Sequence, residues 1–280
     1  MLVVCNLSAL QLVSERRPEK NINAIDKLLA QLSPTQDQLV LLPENAISFS
    51  NKKNYLALSE KLGQGVYQDQ LAALAKQYAC YLVCGSFPIK SEYEDKIYTS
   101  SLVFSPQGVL ISHYHKMHLF DALIDDKQAS YKESDTFIPG DTIQTFDWNT
   151  AEGCFKVGLA ICYDLRFPAL FQSLREKGAE ILLLPAAFTQ VTGKAHWLPL
   201  LQTRAIENQC YVIASNQGGT HQCGRQTYGH SMIISPWGEV LDKLAMNEGF
   251  VVAPFSKTVI DEIRASIPVV AHNRFTSVLK

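Results

Sequence analysis

Short apolar runs alternate with segments of helical periodicity along this chain, and that alternation restricts the fold more than any other feature of the sequence. In the first half, strands are predicted at 2–10, 38–42 and 81–87, because each is a short, mostly apolar run bounded by polar or turn residues. The apolar spacing after Pro18 and around Leu71 predicts a helix between each pair of strands. A hairpin with the turn Ser-Pro-Gln-Gly follows.

The second half repeats this order of elements. The turn Ser-Pro-Trp-Gly of its hairpin at 231–241 echoes the Ser-Pro-Gln-Gly turn of the first hairpin, which indicates a weak internal duplication. Its long helical segment contains Pro199, which conflicts with a regular helix interior, so we expect either a kink or a helix that begins near Leu200. The other predicted elements are strands at 155–161, 180–185 and 211–216 and helices at 167–177 and 194–209.

Two halves of this kind predict one α/β domain that comprises residues 1–280. We expect two mixed sheets packed face to face with helices on the outer faces, because a sheet must bury its apolar face against another layer. Hydrophobic residues make up 47% of the sequence, which is enough for a large core, and no linker-like stretch separates the halves. The segment from Asp121 to Thr150 is the least regular and is a candidate for a loop that covers a site.

Charge and cysteine content argue against several classes of function. The chain carries 25 basic and 27 acidic residues, for a net charge of −2, and has no basic block, so nucleic acid is not an expected partner. Its seven cysteines include no Cys-x-x-Cys pair, which argues against a disulfide framework or a zinc ribbon and favours a reducing, cytoplasmic location. The first residues lack a basic segment, so we expect no signal peptide, and the apolar runs are too short for a membrane span.

Reactive side chains follow three of the predicted strands. Glu44, Lys116 and Cys162 each come directly after a strand, and α/β proteins present such strand ends to ligands. Glu133 adds a carboxylate in the irregular segment. Because a cysteine thiol needs a neighbouring base or cation to become a nucleophile, Glu44 would take the thiol proton. Lys116 would stabilise the thiolate and later an oxyanion.

Each of these residues also has an ordinary structural interpretation. Taken alone, Cys162 would be a packed core thiol, because free cysteine is among the most buried residue types. Glu44 could cap a helix after Pro43, and Lys116 and Glu133 could be solvated charges. The catalytic interpretation therefore depends on the combination of these residues and on the sequences around them.

Three motifs resemble the nitrilase superfamily of carbon–nitrogen hydrolases. The family pattern is a glutamate in a Pro-Glu context, a lysine in a Tyr-x-Lys-x-His-Leu context and a cysteine in a Cys-Tyr-Asp-x-Arg-Phe-Pro context. This chain has Leu-Leu-Pro-Glu at 41–44, Tyr-His-Lys-Met-His-Leu-Phe-Asp at 114–121 and Cys-Tyr-Asp-Leu-Arg-Phe-Pro at 162–168, in the same order. A second family glutamate, between the lysine and the cysteine, matches Glu133. One departure is Ala169, where the family usually has glutamate.

The rest of the chain is similar to one branch of this superfamily. Residues 187–217 and 228–241 resemble the enzymes that hydrolyse deaminated glutathione, with the ω-amidases of 2-oxoacid amides as close neighbours. The resemblance implies an αββα sandwich and a cysteine-dependent amidase that converts a small anionic linear amide to a carboxylate and ammonia. Deaminated glutathione ranks first as the substrate. The alternatives are the ω-amidase substrates 2-oxoglutaramate and 2-oxosuccinamate, an N-carbamoyl amino acid and, in a different class, a non-catalytic interaction protein.

The resemblance also implies roles for individual residues. Cys162 attacks the amide carbonyl, Glu44 passes the proton to the leaving amine, and water later releases the resulting thioester. Lys116 and the backbone N–H of Tyr163 hold the oxyanion, while Glu133 orients Lys116 or Glu44. By the same resemblance, no metal or organic cofactor takes part.

The expected substrate contacts come after the second strand of the second half. Phe188, Thr189 and Thr192 should line the mouth of the site. Lys194 or Arg166 would meet a substrate carboxylate, although a solvated charge or a structural ion pair is the alternative for both. The family usually forms dimers through helices, so we also expect at least a homodimer, and no membrane partner.

Three histidines near Lys116 support a different hypothesis, a metal site. On a strand, His113 and His115 would lie on one face, as two ligands of one metal can do. His118 follows shortly after. Ordinary strand-end and loop histidines are the other interpretation of the same residues.

Overall fold

Two six-stranded sheets form the centre of the molecule. The structure is a computed structural model that describes residues 5–35, 37–125 and 130–279. The strands of the first sheet are β1 (Asn6–Gln11), β2 (Gln38–Leu41), β3 (Tyr81–Lys90), β4 (Ile97–Phe104), β5 (Leu110–His115) and β14 (Gly249–Pro254). They lie in the order β14-β1-β2-β3-β4-β5.

The second sheet contains most of the strands of the second half. Its strands are β8 (Thr145–Thr150), β9 (Gly153–Leu159), β10 (Ile181–Ala186), β11 (Tyr211–Asn216), β12 (Met232–Ile234) and β13 (Val240–Lys243). They lie in the order β13-β12-β11-β10-β9-β8. A separate small hairpin pairs β6 (Asp121–Leu123) with β7 (Ser130–Lys132).

The two sheets have the same topology. In each, three neighbouring strands are parallel: β1, β2 and β3 in the first sheet, and β9, β10 and β11 in the second. Two antiparallel strands follow on one side, and one antiparallel strand pairs on the other. The internal duplication that the two similar turns predicted is therefore confirmed at the level of the sheets.

Helices cover the outer faces of both sheets. On the first sheet lie α1 (Pro18–Leu32), α2 (Lys52–Leu58) and α3 (Val66–Gln77). On the second lie α4 (Pro168–Glu176) and α5 (Gln190–Asn208), and α6 (Lys257–Ser266) and α7 (Val269–His272) follow β14. The predicted αββα sandwich is confirmed. No helix in the described ranges is both long and apolar enough to cross a bilayer.

Alternate residues of one strand contribute to different layers of the core. On β2, Leu39 and Leu41 pack in the cluster between the two sheets, whereas Val40 and the following residue, Leu42, pack against the helices. Side chains of a strand point alternately to its two faces, so a strand between two layers must be apolar throughout. Each fully buried leucine contributes roughly 2 kcal/mol of transfer free energy. This packing fixes β2, and with it the position of Glu44 just beyond its end.

The helix that contains Pro199 differs from the prediction. It begins at Gln190, earlier than expected, and continues through Pro199 to Asn208. Thr189 caps its start, because its side chain accepts a hydrogen bond from the N–H of Thr192 at 3.2 Å. The expected late start near Leu200 was wrong, since this cap and the burial of neighbouring side chains outweigh the missing proline N–H.

The irregular segment from Asp121 to Thr150 has two parts with different functions. Its first part, with β6, β7 and a short 3-10 helix at Glu133–Asp135, contributes to the wall of a cavity. Its last part is β8, an edge strand of the second sheet. The prediction of a site-covering loop therefore holds only for the first part, apart from residues 126–129, which lie outside the described residues.

Candidate active site

Cys162 lies just beyond β9 in an unusual backbone conformation. Its φ is +48°, a left-handed conformation that costs a residue other than glycine about 1–3 kcal/mol. A short 3-10 helix, Cys162–Arg166, begins at this point. The N–H of Tyr163 belongs to its first turn, where backbone N–H groups have no partner within the helix. The turn therefore places a thiol next to an N–H group that suits an oxyanion.

The buried Asp164 carboxylate connects this turn to the segment that carries Lys116. Its Oδ2 accepts hydrogen bonds from the backbone N–H of Ile161 and the hydroxyl of Tyr114, both at 2.8 Å. Its Oδ1 accepts from the backbone N–H of His118 at 3.1 Å and lies 2.6 Å from His118 Nδ1. Because Tyr114 and His118 flank Lys116 in sequence, one carboxylate fixes the lysine segment against the cysteine turn.

Lys116 is the buried cation of the site. Its side chain is 1% exposed, and its Nζ donates to Glu44 Oε1 and to both carboxylate oxygens of Glu133, each at 2.9 Å. Burial alone would lower the pKa of Lys116, but the carboxylates of Glu133 and Glu44 raise it well above its ordinary value. Lys116 is therefore a fixed positive charge at neutral pH and does not act as a base.

Glu133 is held with both oxygens towards Lys116. Its Oε2 also accepts a hydrogen bond from the backbone N–H of Phe120 at 2.6 Å. Burial raises the pKa of Glu133, and the charge of Glu44 adds to the rise, against the lowering effect of Lys116. This geometry suits a residue that orients the lysine.

The resting form of Cys162 is the neutral thiol. Burial raises its pKa well above the ordinary value, and the nearby charge of Glu44 raises it further, while Lys116 acts in the opposite direction. The Glu44 carboxylate and the backbone of Ala187 both lie near enough to the thiol to affect its pKa. A thiol of this kind reacts only if a base takes its proton, and Glu44 is in position to do so.

These groups line one open cavity. Its empty volume is about 890 Å³, counted out to its mouth, which suits a small molecule. Of the predicted substrate contacts, Tyr163, Phe188, Thr189 and Thr192 lie on its wall. Lys194 does not, because it lies on an exposed face of α5.

The sequence analysis missed several residues of this wall. Tyr55 lies on α2, a helix that was not predicted, and burial raises its pKa to about 12. Arg225 reaches the cavity from the loop between β11 and β12. Neither residue lies in the motifs of Glu44, Lys116 or Cys162, and Arg225 falls between the segments 187–217 and 228–241 that resemble the family branch, so only the folded chain reveals their positions.

Arg166 lies on the cavity wall, as one of the two predicted candidates for a carboxylate contact. Its guanidinium lies 5.9 Å from the ring centre of Tyr163 and 5.6 Å from that of Phe188. Ala169, the departure from the family pattern, is exposed near the start of α4. Arg166 instead approaches Nδ1 of His196 at 3.4 Å.

Two of the three histidines near Lys116 have hydrogen-bond partners in the protein, and the ring centre of the third, His113, lies 5.0 Å from that of His115. His115 Nδ1 hydrogen-bonds Ser100 Oγ at 2.6 Å, and burial lowers its pKa to about 4. His118 is bound to Asp164, as described above. In the part of the chain that the structure describes, no group of three or more side chains has the arrangement of metal ligands.

A sandwich with a thiol, a carboxylate and an ammonium group around one cavity has the architecture of a hydrolytic enzyme. Residues 6–265 match the carbon-nitrogen hydrolase family, and the chain belongs to that family. It is therefore a hydrolase that acts on carbon–nitrogen bonds other than peptide bonds.

Similar proteins cover almost the whole chain. A deaminated glutathione amidase of Yersinia enterocolitica is 42% identical over 98% of this chain and 94% of its own length. The omega-amidase NIT2 of Xenopus tropicalis is 36% identical over 94% of this chain and 92% of its own length.

Solved structures show the same fold. Nit3 of Saccharomyces cerevisiae, a member of branch 10 of the nitrilase superfamily, has a TM-score of 0.84 at 30% identity, and the match covers 96% of this chain and 96% of Nit3. The C. elegans NitFhit protein has a TM-score of 0.85 at 33% identity, and the match covers 98% of this chain and 66% of NitFhit.

Proposed function

We propose that this protein is a cysteine-dependent amidase that hydrolyses a small anionic linear amide through a thioester on Cys162. Deaminated glutathione is the first-ranked substrate. One observation carries the proposal: the buried Cys162 thiol lies beside Glu44 and Lys116 on the wall of an open cavity. The names of the relatives, deaminated glutathione amidase and omega-amidase, support the substrate class.

The first half of the reaction forms the thioester. Glu44 accepts the thiol proton as the sulfur of Cys162 attacks the amide carbon, and the carbonyl oxygen becomes an oxyanion. Lys116 and the N–H of Tyr163 stabilise that oxyanion. Glu44 then gives its proton to the amide nitrogen, the carbon–nitrogen bond breaks, and the amine leaves.

The second half releases the acid. Glu44 takes a proton from a water molecule, which attacks the thioester carbon, and the carbon–sulfur bond breaks as the thiol is protonated again. A positioned acid–base group of this kind contributes about 10²–10⁴-fold to the rate. Lys116 keeps its proton throughout, because Glu133 and Glu44 hold its pKa high.

The leaving amine depends on the substrate. In deaminated glutathione, the amide joins a 2-oxoglutaryl group to cysteinylglycine, so the leaving group is this dipeptide. The expectation of ammonia therefore applies only to primary amides such as 2-oxoglutaramate. Both of these substrates give 2-oxoglutarate as the acid, which makes this acid the better product to assay.

Three alternatives remain for the test. The omega-amidase relatives favour 2-oxoglutaramate or 2-oxosuccinamate. An N-carbamoyl amino acid would use the same thiol and the same oxyanion contacts. A non-catalytic interaction protein would keep the fold and yet form no acyl adduct.

The test is hydrolysis of deaminated glutathione, 2-oxoglutaramate, 2-oxosuccinamate and an N-carbamoyl amino acid, with the 2-oxo acid measured for the first three and the free amino acid for the last. The proposal expects the highest kcat/KM with deaminated glutathione and no turnover in a folded Cys162→Ala variant. A higher kcat/KM with another member would replace the substrate and keep the mechanism. Full turnover in Cys162→Ala would overturn the mechanism.

The organisation of the molecule is part of the proposal. We expect residues 1–280 to act as one domain, in the cytoplasm, and to form at least a homodimer. Apolar side chains near the end of the chain support a second copy as a partner, since Phe275 is 82% and Val278 is 85% exposed. Sedimentation analysis should give at least twice the mass of the chain, and a monomer at micromolar concentration would contradict the dimer.

A further inference from the structure

Arg225 is a cation of the cavity that the proposed chemistry does not use. Its guanidinium lies between two aromatic rings, 5.1 Å from the ring centre of Phe49 and 4.9 Å from that of Tyr131. Guanidinium groups stack on aromatic faces in this way and are more weakly hydrated than an ammonium group. The two rings therefore hold the group in place and reduce its contact with water.

The donors of this guanidinium are largely unused. An arginine has five N–H donors. The Nε of Arg225 is buried without a hydrogen-bond partner, and its Nη2 reaches the carbonyl oxygen of Ala187 only at 3.5 Å. Throughout residues 5–35, 37–125 and 130–279, no carboxylate forms an ion pair with Arg225.

The other charges of the cavity wall do not compensate Arg225. Among the described residues of the wall, the carboxylates are Glu44 and Glu133, and both are bound to Lys116. The described cations of the wall are Lys52, Lys116, Lys132, Arg166 and Arg225, of which Lys132 is paired with the exposed Asp135. Within this described part of the wall, positive charge therefore exceeds negative charge, which attracts an anion.

Arg225 and the nucleophile share one cavity. Cys162, Ala187 and Arg225 all lie on its wall, and Arg225 Nη2 is 3.5 Å from the carbonyl oxygen of Ala187. One small molecule in this cavity can therefore contact both side chains.

We propose that Arg225 binds a substrate carboxylate that is remote from the hydrolysed amide, and so selects anionic amides. The inference rests on the proposed function and deepens it. An arginine fork binds a carboxylate through two parallel hydrogen bonds. The carboxylate has two possible sources, the acyl half of the substrate or the leaving amine. The competing explanation is structural: Arg225 only joins the segments of Phe49 and Tyr131 by stacking.

The experiment measures protection of Cys162 and needs no turnover. Iodoacetamide, a neutral reagent, alkylates the protein in the presence of increasing glutarate or serylglycine, and mass spectrometry follows the peptide that contains Cys162. Glutarate stands for the acyl half, and serylglycine, which has no thiol to consume the reagent, stands for the leaving amine. Wild type is compared with Arg225→Met and with Arg225→Lys, which keeps the charge and loses the fork.

Arg175 provides the matched control. Like Arg225, it has a buried Nε without a hydrogen-bond partner. It lies on α4 beside a different surface depression, away from the catalytic cavity. Arg175→Met should therefore keep the wild-type protection, and melting temperatures of all variants show whether each is folded.

The proposal expects Arg225→Met to need on the order of 100-fold more glutarate for half protection, with Arg225→Lys in between. If Arg225→Met loses the protection by serylglycine and keeps the protection by glutarate, this result would also support the proposal and would assign the carboxylate to the leaving amine. Equal protection of wild type and Arg225→Met by both compounds would overturn it, even if the melting temperature falls. Absence of any protection in wild type would overturn it as well.

This outcome is separable from that of the proposed function. If no amide is hydrolysed and glutarate still protects Cys162 through Arg225, the anion site stands and the amidase proposal fails. If amides are hydrolysed and protection does not depend on Arg225, the amidase proposal stands and this inference fails.

Discussion

The two halves of the chain build the same sheet topology and so supply two equivalent sets of strand ends. The first set carries the reactive residues Glu44, Lys116 and Cys162, and the second carries apolar residues at the equivalent positions. The middle parallel strands end in Leu-Leu-Pro-Glu at Glu44 and in Leu-Leu-Pro-Ala at Ala186. The two similar hairpin turns place Met246 where the other half has Lys116. Ala9 pairs with Leu41 in the first sheet, and Leu159 pairs with Leu183 in the second, so Ala9 and Leu159 are equivalent. Three residues further along each chain segment, Leu12 is therefore equivalent to Cys162.

The second set of strand ends is filled by backbone. The N–H of Gln217 donates to the carbonyl oxygen of Ala186 at 2.9 Å, and the N–H of Gly218 donates to that of Leu12 at 2.8 Å. A Cβ on Gly218 would lie 2.3 Å from the carbonyl oxygen of Met246. In the described structure, backbone therefore occupies the space that a substrate would need there.

The difference between these two regions shows what the fold contributes and what the side chains contribute. The duplicated sheets supply two sets of strand ends with equivalent geometry. A site exists only where the chain puts a thiol, a carboxylate and an ammonium group on those ends and leaves space between them.

Lys116→Met gives the first set of strand ends the residue that the second set has at the equivalent position, Met246. We expect this variant to lose more turnover and more stability than any of the other variants below. Loss of an oxyanion contact should lower kcat by at least 10²–10³-fold. Loss of a buried ion-pair partner should lower the free energy of unfolding by about 3–5 kcal/mol. Met246→Leu is the matched control and should keep wild-type turnover; comparable losses in both variants would refute the contrast between the halves.

The stability loss of Lys116→Met should depend on pH. Burial already raises the pKa of Glu133, and the ammonium group that opposes this rise is gone in the variant. A carboxyl group with a raised pKa in the folded state binds more protons folded than unfolded, so its contribution to stability falls as pH rises from about 4.5 through the folded pKa. The difference in melting temperature from wild type should therefore widen from pH 5 to pH 8, and a constant difference would contradict this electrostatic account.

Asp164→Asn tests the connection between the two segments of the site. The amide has one oxygen in place of two, so it cannot accept all the bonds from Ile161, Tyr114 and His118. A displacement of about 1 Å between Cys162 and Lys116 would lower kcat by on the order of 10²-fold. Tyr114→Phe removes one of these bonds and should cost less; an Asp164→Asn variant with normal kcat would show that the carboxylate does not position the site.

Thr192→Val should have a smaller effect, on binding. The hydroxyl lies on the cavity wall and contacts Thr189 Oγ1 at 2.9 Å. A contact that stabilises the bound substrate and the transition state equally affects only KM when it is lost. We therefore expect Thr192→Val to raise KM several-fold and to leave kcat unchanged. Lys194→Met should raise KM less than Thr192→Val, because Lys194 lies outside the cavity; the reverse order would restore Lys194 as a substrate contact.

The strand ends and the motifs made part of the site predictable. Apolar runs locate β2 and β9, so the sequence alone places Glu44 and Cys162 at strand ends. The placement of Lys116 followed from the hairpin before it. Local sequence carries this information, because strand length and burial depend mainly on neighbouring residues.

Contacts between distant segments were not predictable in this way. Arg225 and Tyr55 reach the cavity from outside the three motifs, and the bonds of Asp164 to Tyr114 and His118 join residues far apart in sequence. The early start of α5 was missed for a related reason, since a local cap and tertiary burial outweigh the effect of a proline on helix propensity.

The measurement that tests the central claim most directly is mass spectrometry of the protein after rapid mixing with 2-oxoglutaramate and acid quenching. The account predicts a 2-oxoglutaryl adduct on the peptide that contains Cys162. It also predicts that Glu44→Gln forms this adduct far more slowly, by about 10²–10⁴-fold. Turnover without an adduct on Cys162, or an adduct on another residue, would contradict the account.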